Sequence, residues 1–145
     1  MSEIRLITDG ACKGNPGPGG WAALIKMSEE KELLTGGAPE TTNNRMEMTA
    51  VIEGLKKIGQ QSQRVHIVTD SKYVMDAFEK GWIKGWLANN WRNASKKPVK
   101  NKDLWEVLID LVNTHDVSWE WVKGHAGHPE NEVVDHAAQE AAMMY

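Results

Sequence analysis

Residues 7–22 read ITDGACKGNPGPGGWA. Upstream, Ile4, Leu6 and Thr8 alternate with Arg5, Ile7 and Asp9, a period of two that predicts a strand ending on a bare carboxylate. From Gly10 to Gly20 glycine, proline and asparagine dominate before the apolar residues of a second stretch begin. A hairpin turn needs only about two to five residues. The stretch 10–20 therefore reads as a long, rigid loop, either an ornate turn or a holder of something.

Working outward, WAALIKM (21–27) and KELLTG (31–36) predict two further strands in a meander. TTNN (41–44) reads as a helix start with Thr42 or Asn43 as N-cap, Met46, Ala50, Val51, Leu55 and Ile58 as its apolar stripe and Gly59 as its stop. RVHIVTD (64–70) is almost continuously apolar, as a strand flanked on both sides should be, and it also ends on an aspartate, Asp70. Ser71 caps a helix to about Glu79, and 103–114 predicts another with Leu104, Val107, Leu108 and Leu111 inward. VSWEWVKG (117–124) alternates as a strand. After a loop, 130–144 predicts a last helix with Val134, Ala137, Ala138 and Ala141 on its apolar face. The order β-β-β-α-β-α-α-β-α calls for an α/β fold, a mixed sheet flanked by helices. With 145 residues and no internal repeat, a single domain over 1–145 is expected.

Hydrophobic residues make up 41% and charged ones 26%, the balance of a globular domain. No apolar run approaches the ~20 residues of a membrane span. Glu3 and Arg5 interrupt any leader pattern at the N-terminus. Cys12 is the sole cysteine, which excludes an internal disulfide and a zinc-finger spacing and suits a reducing cytoplasm. The net charge of −3 argues against a general polyanion binder. Its distribution argues otherwise: residues 80–102 hold Lys80, Lys84, Arg92, Lys96, Lys97, Lys100 and Lys102 and no acid. Such a segment on an acidic protein makes a focused positive field. Trp82, Trp86 and Trp91 are interleaved with it, placed either for core packing or for a nucleic-acid surface.

A strand-end aspartate taken alone is usually a turn former. If the strands ending at Asp9 and Asp70 are parallel neighbours, however, both carboxylates emerge at the carboxyl edge where α/β sheets bind ligands. Glu47, in the first turn of its helix, and Asp135, within the first turn and a half of the last, have ordinary readings as helix-dipole partners. Aimed at the same edge, they complete a cluster of acids. Clustered carboxylates raise one another's pKa and are kept mainly for a cation. All-oxygen ligation suits Mg²⁺ or Mn²⁺, and two such ions about 3.5–4 Å apart can clamp an in-line phosphoryl displacement. That chemistry points to phosphodiester cleavage.

ITDGACKGNPGPGGW, TTNNRMEM, VTDSKYV, KKPVKNKDLW and WVKGHAGHPENEVVD are similar, in order and over essentially the whole chain, to the motifs of the bacterial ribonuclease HI family (type 1 ribonuclease H). The resemblance implies a five-stranded mixed sheet with strands 1 to 3 antiparallel and a basic substrate-binding protrusion at 80–100. It implies Mg²⁺-dependent cleavage of the RNA strand of RNA/DNA hybrids to 5′-phosphate and 3′-hydroxyl ends, with two ions when substrate is bound. It makes Asp9, Glu47, Asp70 and Asp135 metal ligands and gives His125 a part in proton transfer or product release. His128 acquires no role. Cys12 (through its backbone), Asn15, Asn43 and Asn44 match positions that read 2′-hydroxyls or the neighbouring DNA sugars, with Glu47 also touching a 2′-hydroxyl. The 10–20 loop is then expected to line the RNA strand. Lys72, Trp82, Lys84, Trp86, Lys96, Lys97 and Lys100 are expected at the hybrid, and Thr42 and Asn101 in a pocket for a DNA phosphate. The expected partner is an RNA/DNA hybrid duplex bound by a cytoplasmic monomer, with no membrane.

The sequence departs from that pattern in places. Residues 87–90 read LANN where relatives often carry cations, and Glu40 stands where a basic residue is common. Lys72 replaces a common glutamine, facing either RNA or solvent. The chain ends at Tyr145, before the extra tail of some relatives. None of these removes an acid. Two other readings compete: a hybrid-binding module without catalysis, which would not need four clustered acids, and another nuclease of the same architecture, such as a transposase or junction resolvase. The asparagine set and the protrusion favour the ribonuclease.

Overall fold

A computed structural model describes residues 3–123 and 128–145. Its strands are β1 (Ile4–Cys12), β2 (Gly17–Met27), β3 (Glu30–Thr41), β4 (Arg64–Thr69) and β5 (Asp116–Trp121). Its helices are α1 (Asn43–Ile58), α2 (Lys72–Glu79), α3 (Trp82–Ala88), α4 (Lys102–Thr114) and α5 (Pro129–Ala142). They form one five-stranded sheet in the order β3-β2-β1-β4-β5. β1 pairs antiparallel with β2, and β2 with β3, while β1–β4 and β4–β5 are parallel. The fold is therefore the mixed sheet that the sequence implies, with one helix more: α3 lies inside the basic segment, where Gly81 in the left-handed region (φ +73°) starts it.

The period of two in β1 sorts its side chains to opposite faces. Leu6, with Ile25, Ile67, Met48, Val51, Leu55, Trp105 and Leu108, forms the larger core under α1 and α4. Ile7, with Ala22, Leu24, Val68, Val134 and Ala138, forms a smaller core under α5. Trp105 is fully buried and organises its side of the larger core, whereas Val107, expected inward, is 39% exposed. The boundary is physical: α4 turns a stripe through Leu104, Trp105 and Leu108 to the sheet, and a position one turn-third away from that stripe faces water.

The 10–20 stretch is not the long loop that its composition suggests. β1 continues to Cys12 and β2 begins at Gly17, so only residues 13–16 form the turn. Gly14 supplies a positive φ of 86°, and the Lys13 N–H donates to the Pro18 carbonyl at 2.7 Å. Two glycines within the strands let helices pack closely. A Cβ at Gly10 would lie 2.6 Å from the Glu47 main-chain nitrogen, and one at Gly20 would lie 2.3 Å from the Ala138 carbonyl oxygen. Two helices are thus drawn onto the sheet on either side of Asp9, and that approach builds the site.

Candidate functional site

β1 carries Asp9 near its carboxyl end, and Asp70 follows the last residue of β4. Because β1 and β4 are parallel neighbours, in register from Ile4↔Val65 to Ile7↔Val68, both acids leave the sheet at one edge. α1 starts at its N-cap Thr42, whose Oγ1 accepts from the Arg45 N–H at 3.2 Å. Glu47 then falls on the second turn, not the first, and the contact of α1 with Gly10 brings it over the edge. A macrodipole role is correspondingly weaker, since that effect fades beyond the first turn. Asp9, Glu47 and Asp70 each offer a carboxylate oxygen within 4.8 Å of the others. Asp135, on α5, lines the same cavity of about 520 Å³ together with Cys12, Asn43 and Gln139.

Burial makes this cluster unusual. Glu47 is 4% exposed and Asp9 5%. No cation pairs with Asp9, Glu47 or Asp70 among the described residues, and the Glu47 Oε1 and Asp70 Oδ1 atoms are buried without a hydrogen-bond partner there. Burial first, then the charge of Asp70 and a hydrogen bond with Asp135, push the Asp9 carboxyl up to about 8, against the lowering effect of the Gly10 N–H that donates to Asp9 Oδ1 at 2.8 Å. Burial, then the closeness of Asp70 and the charges of Asp70 and Asp9, also raise Glu47 well above the ordinary carboxylate range. Buried oxygens left unpartnered and all of one sign fit a hard divalent cation, which would restore the ionised form of each acid. Asp9, Glu47 and Asp70 are the residues placed to hold it, with Asp135 at the rim.

The remaining predicted residues fall into two groups. At the turn, Asn15 Oδ1 accepts from the Asn43 N–H at 3.1 Å, which ties the β1–β2 hairpin to the start of α1. The Cys12 thiol donates to the Thr41 carbonyl at 3.3 Å, leaving its main chain at the cavity wall. At the protrusion, the Trp86 ring packs against Trp82, Trp91 and Trp105 at centroid distances of 6.5, 6.2 and 5.3 Å, so these rings are largely structural. Trp82 nevertheless stays 39% exposed. A second groove of about 480 Å³ brings Asn44, Trp86, Lys97, Lys100 and Asn101 together. Lys84 and Lys96 are exposed beside it, and Lys72 opens α2 next to Asp70. His125 lies outside the described residues.

Several side chains at the site went unnoticed in the sequence. Arg45 reaches from α1 to α4, donating to Asn101 Oδ1 at 3.2 Å and, through both terminal nitrogens, to Asp103 at 3.0 and 2.8 Å. Asn101 in turn donates to the Tyr73 hydroxyl at 3.1 Å. Gln139 donates to both carboxylate oxygens of Asp135 at 3.2 and 3.3 Å. The i,i+4 spacing of Asp135 and Gln139 was a visible signal; the Arg45–Asp103 pair joins separate helices and left none.

Comparison with known proteins agrees with this geometry. The ribonuclease H family model, "RNase H", matches residues 1–143. The chain is 55% identical over 144 residues to a ribonuclease H of Erythrobacter litoralis, covering 99% of each chain. It is 55% identical over 142 residues to a ribonuclease HI of Neisseria meningitidis serogroup B, covering 98% of this chain and 97% of that one. Among solved structures, LC9-RNase H1, described as a type 1 RNase H with the type 2 active-site motif, superposes with a TM-score of 0.87 at 34% identity, over 98% of this chain and 72% of that one. LC11-RNase H1, solved in complex with an RNA/DNA hybrid, shares the fold at a TM-score of 0.69 and 20% identity, over 97% of each chain. With an acid cluster at the carboxyl edge of a β3-β2-β1-β4-β5 sheet and a family match over nearly its whole length, the chain belongs to the ribonuclease H family.

Proposed function

We propose that this protein is an endonuclease that hydrolyses the RNA strand of RNA/DNA hybrids with Mg²⁺ held by Asp9, Glu47, Asp70 and Asp135, leaving 5′-phosphate and 3′-hydroxyl ends. The observation that carries the proposal is the convergence of three acids within 4.8 Å with buried oxygens left unpartnered. Once bound, divalent ions supply Lewis-acid polarisation of the phosphate and a water of lowered pKa, and Mn²⁺ can stand in for Mg²⁺. Two ions are expected with substrate present.

Each residue then has a defined task. Asp9 on β1 and Asp70 directly after its parallel neighbour β4 fix the position of the scissile phosphate. Glu47 closes the cluster from α1 and excludes water behind it. Asp135 completes the donor set, with Gln139 orienting its carboxylate. Asn15, Asn43, Asn44 and the main chain of Cys12 sit where an RNA strand crossing the edge presents 2′-hydroxyls, which both donate and accept and so distinguish RNA from DNA. The groove at Trp86, Lys97, Lys100 and Asn101, with Trp82, Lys84 and Lys96, takes the phosphates of the DNA strand, and Thr42 joins Asn101 in holding one of them. His125 assists proton transfer or product release. No helix among the described residues is long and apolar enough to cross a membrane. The protein is read as a monomer acting in the cytoplasm.

The test is a panel of labelled substrates: RNA/DNA hybrid, RNA duplex, DNA duplex and single-stranded RNA, each with Mg²⁺ or EDTA. Cleavage confined to the RNA strand of the hybrid and dependent on Mg²⁺ supports the proposal. Hybrid binding without cleavage in Mg²⁺ or Mn²⁺ would make the protein a binding module instead.

A further inference from the structure

We propose that Trp121 is a positioning residue that holds the Lys72 ammonium at the carboxyl edge as the contact for an RNA-strand phosphate next to the one cut, while bracing the main chain of Asp70. The inference rests on the hybrid-cleaving function proposed above. Trp121 ends β5 and pairs in register with Thr69, the residue before Asp70. Its indole N–H donates to the Asp70 carbonyl at 3.0 Å. Its ring lies under Lys72, with the Nζ atom 4.4 Å from the centroid. One side chain therefore touches both the main chain of a candidate metal ligand and a cation two residues further on.

Two facts say that this arrangement is kept for an anion. Lys72 stands two residues from Asp70, beside buried acids, yet it makes no ion pair with any acid among the described residues. Its ammonium rests instead on the ring, which attracts it through the π face and leaves its other side open. Trp121 itself is 39% exposed, so its ring is not explained by core packing, unlike its neighbour Trp119, which stacks on Phe78 at 5.2 Å. The carboxyl edge then runs from Asp9 on β1 to Asp70 on β4 to the Lys72–Trp121 pair beside β5. Neighbouring strands are about 4.8 Å apart, so the cation lies roughly one strand further along the edge than the acid pair. A strand whose phosphate sits over Asp9 and Asp70 can present its next phosphate there.

The experiment compares kcat and KM for hybrid cleavage in Mg²⁺ at several salt concentrations for the full chain, Lys72→Met, Trp121→Leu, Trp121→Phe and the double variant Lys72→Met/Trp121→Leu. Losing one phosphate contact should lower the slope of log(kcat/KM) against log salt by about 0.7–0.9. Lys72→Met is expected to show that loss, with KM raised and kcat little changed. Trp121→Leu should show the same slope loss and a lower kcat, because the Asp70 carbonyl loses its donor. Trp121→Phe keeps a ring and so keeps the slope, sharing only the fall in kcat. The double variant should lose no more slope than either single one. An unchanged slope in Lys72→Met or Trp121→Leu, or additive slope losses in the double variant, would overturn the inference while leaving hybrid cleavage standing. An unmutated protein that cuts no hybrid would remove the proposed function and this inference with it.

Discussion

Asp9→Asn separates the cost of the acid cluster from its use. Asparagine has the shape of a protonated aspartate and can still accept from the Gly10 N–H, which donates to Asp9 Oδ1 at 2.8 Å. In the folded protein, burial and the charge of Asp70 lift the Asp9 carboxyl from an ordinary 3.8 to about 8. The unfolded chain releases that proton near 3.8, so between pH 4 and 8 the folded state binds more protons than the unfolded one. Stability therefore falls as pH rises through that window, by about 1.36 kcal/mol per unit, and the penalty is absent below it and constant above it. At pH 7 it amounts to about 4 kcal/mol, an upper figure that Asn relieves. For a chain of this size, each kcal/mol is worth roughly 2–4 °C in Tm. Thermal unfolding in EDTA should show Asp9→Asn and the unmutated protein melting together near pH 4. By pH 8, where the penalty reaches at most about 5 kcal/mol, the variant should melt up to roughly 10–20 °C higher. A gap that does not change with pH, or a variant that is less stable at pH 8, would refute the electrostatic account of the cluster. Whatever it gains in stability, Asp9→Asn is expected to lose cleavage.

Other outcomes follow from the same geometry. Saturating Mg²⁺ should raise the Tm of the unmutated protein, by an amount equivalent to about 2.7 kcal/mol at a hundred times Kd, and should do little for Asp9→Asn; calorimetry with and without the ion checks both. Gly20→Ala would put a Cβ 2.3 Å from the Ala138 carbonyl oxygen and 2.4 Å from the Ala142 nitrogen, forcing α5 outward. Denaturant titration should show a loss of about 1–3 kcal/mol, and the Mg²⁺ concentration for half-maximal cleavage should rise because Asp135 travels with α5. Trp105→Ala should cost about 3–5 kcal/mol in the same titration, since the ring is fully buried and its N–H donates to the Tyr73 hydroxyl at 3.3 Å. Lys97→Ala and Lys100→Ala should each lower the salt slope of hybrid binding by about 0.9, measured by anisotropy.

The parts of the fold that the sequence made legible are those governed by periodicity and capping. The alternation in 4–9 and the apolar run 64–70 announced two buried strands, and Thr42 and Gly59 do bound α1. Asp9 lies near the carboxyl end of β1 and Asp70 directly after β4, at the edge where parallel neighbours can present both, so their juxtaposition was readable once parallel pairing was assumed. The stretch 10–20 misled because glycine and proline signal loops locally, whereas here Gly10 and Gly20 answer to helices packed on them from elsewhere in the chain. α3 escaped notice because Gly81 and Gly85 break its short periodic pattern. Arg45 and Trp121 escaped because their partners, Asp103 on α4 and Asp70 after β4, are set by tertiary packing rather than by spacing.

The central claim is that the acids at the carboxyl edge hold a divalent ion against the RNA phosphate that is cut. It is tested most directly by replacing one non-bridging oxygen of a single RNA linkage with sulfur and comparing cleavage rates there in Mg²⁺ and in Mn²⁺. Sulfur binds the harder Mg²⁺ poorly and accepts the softer Mn²⁺ more readily. The account predicts slow cleavage in Mg²⁺ that Mn²⁺ restores. An equal slowing in both ions, or none in either, would contradict it.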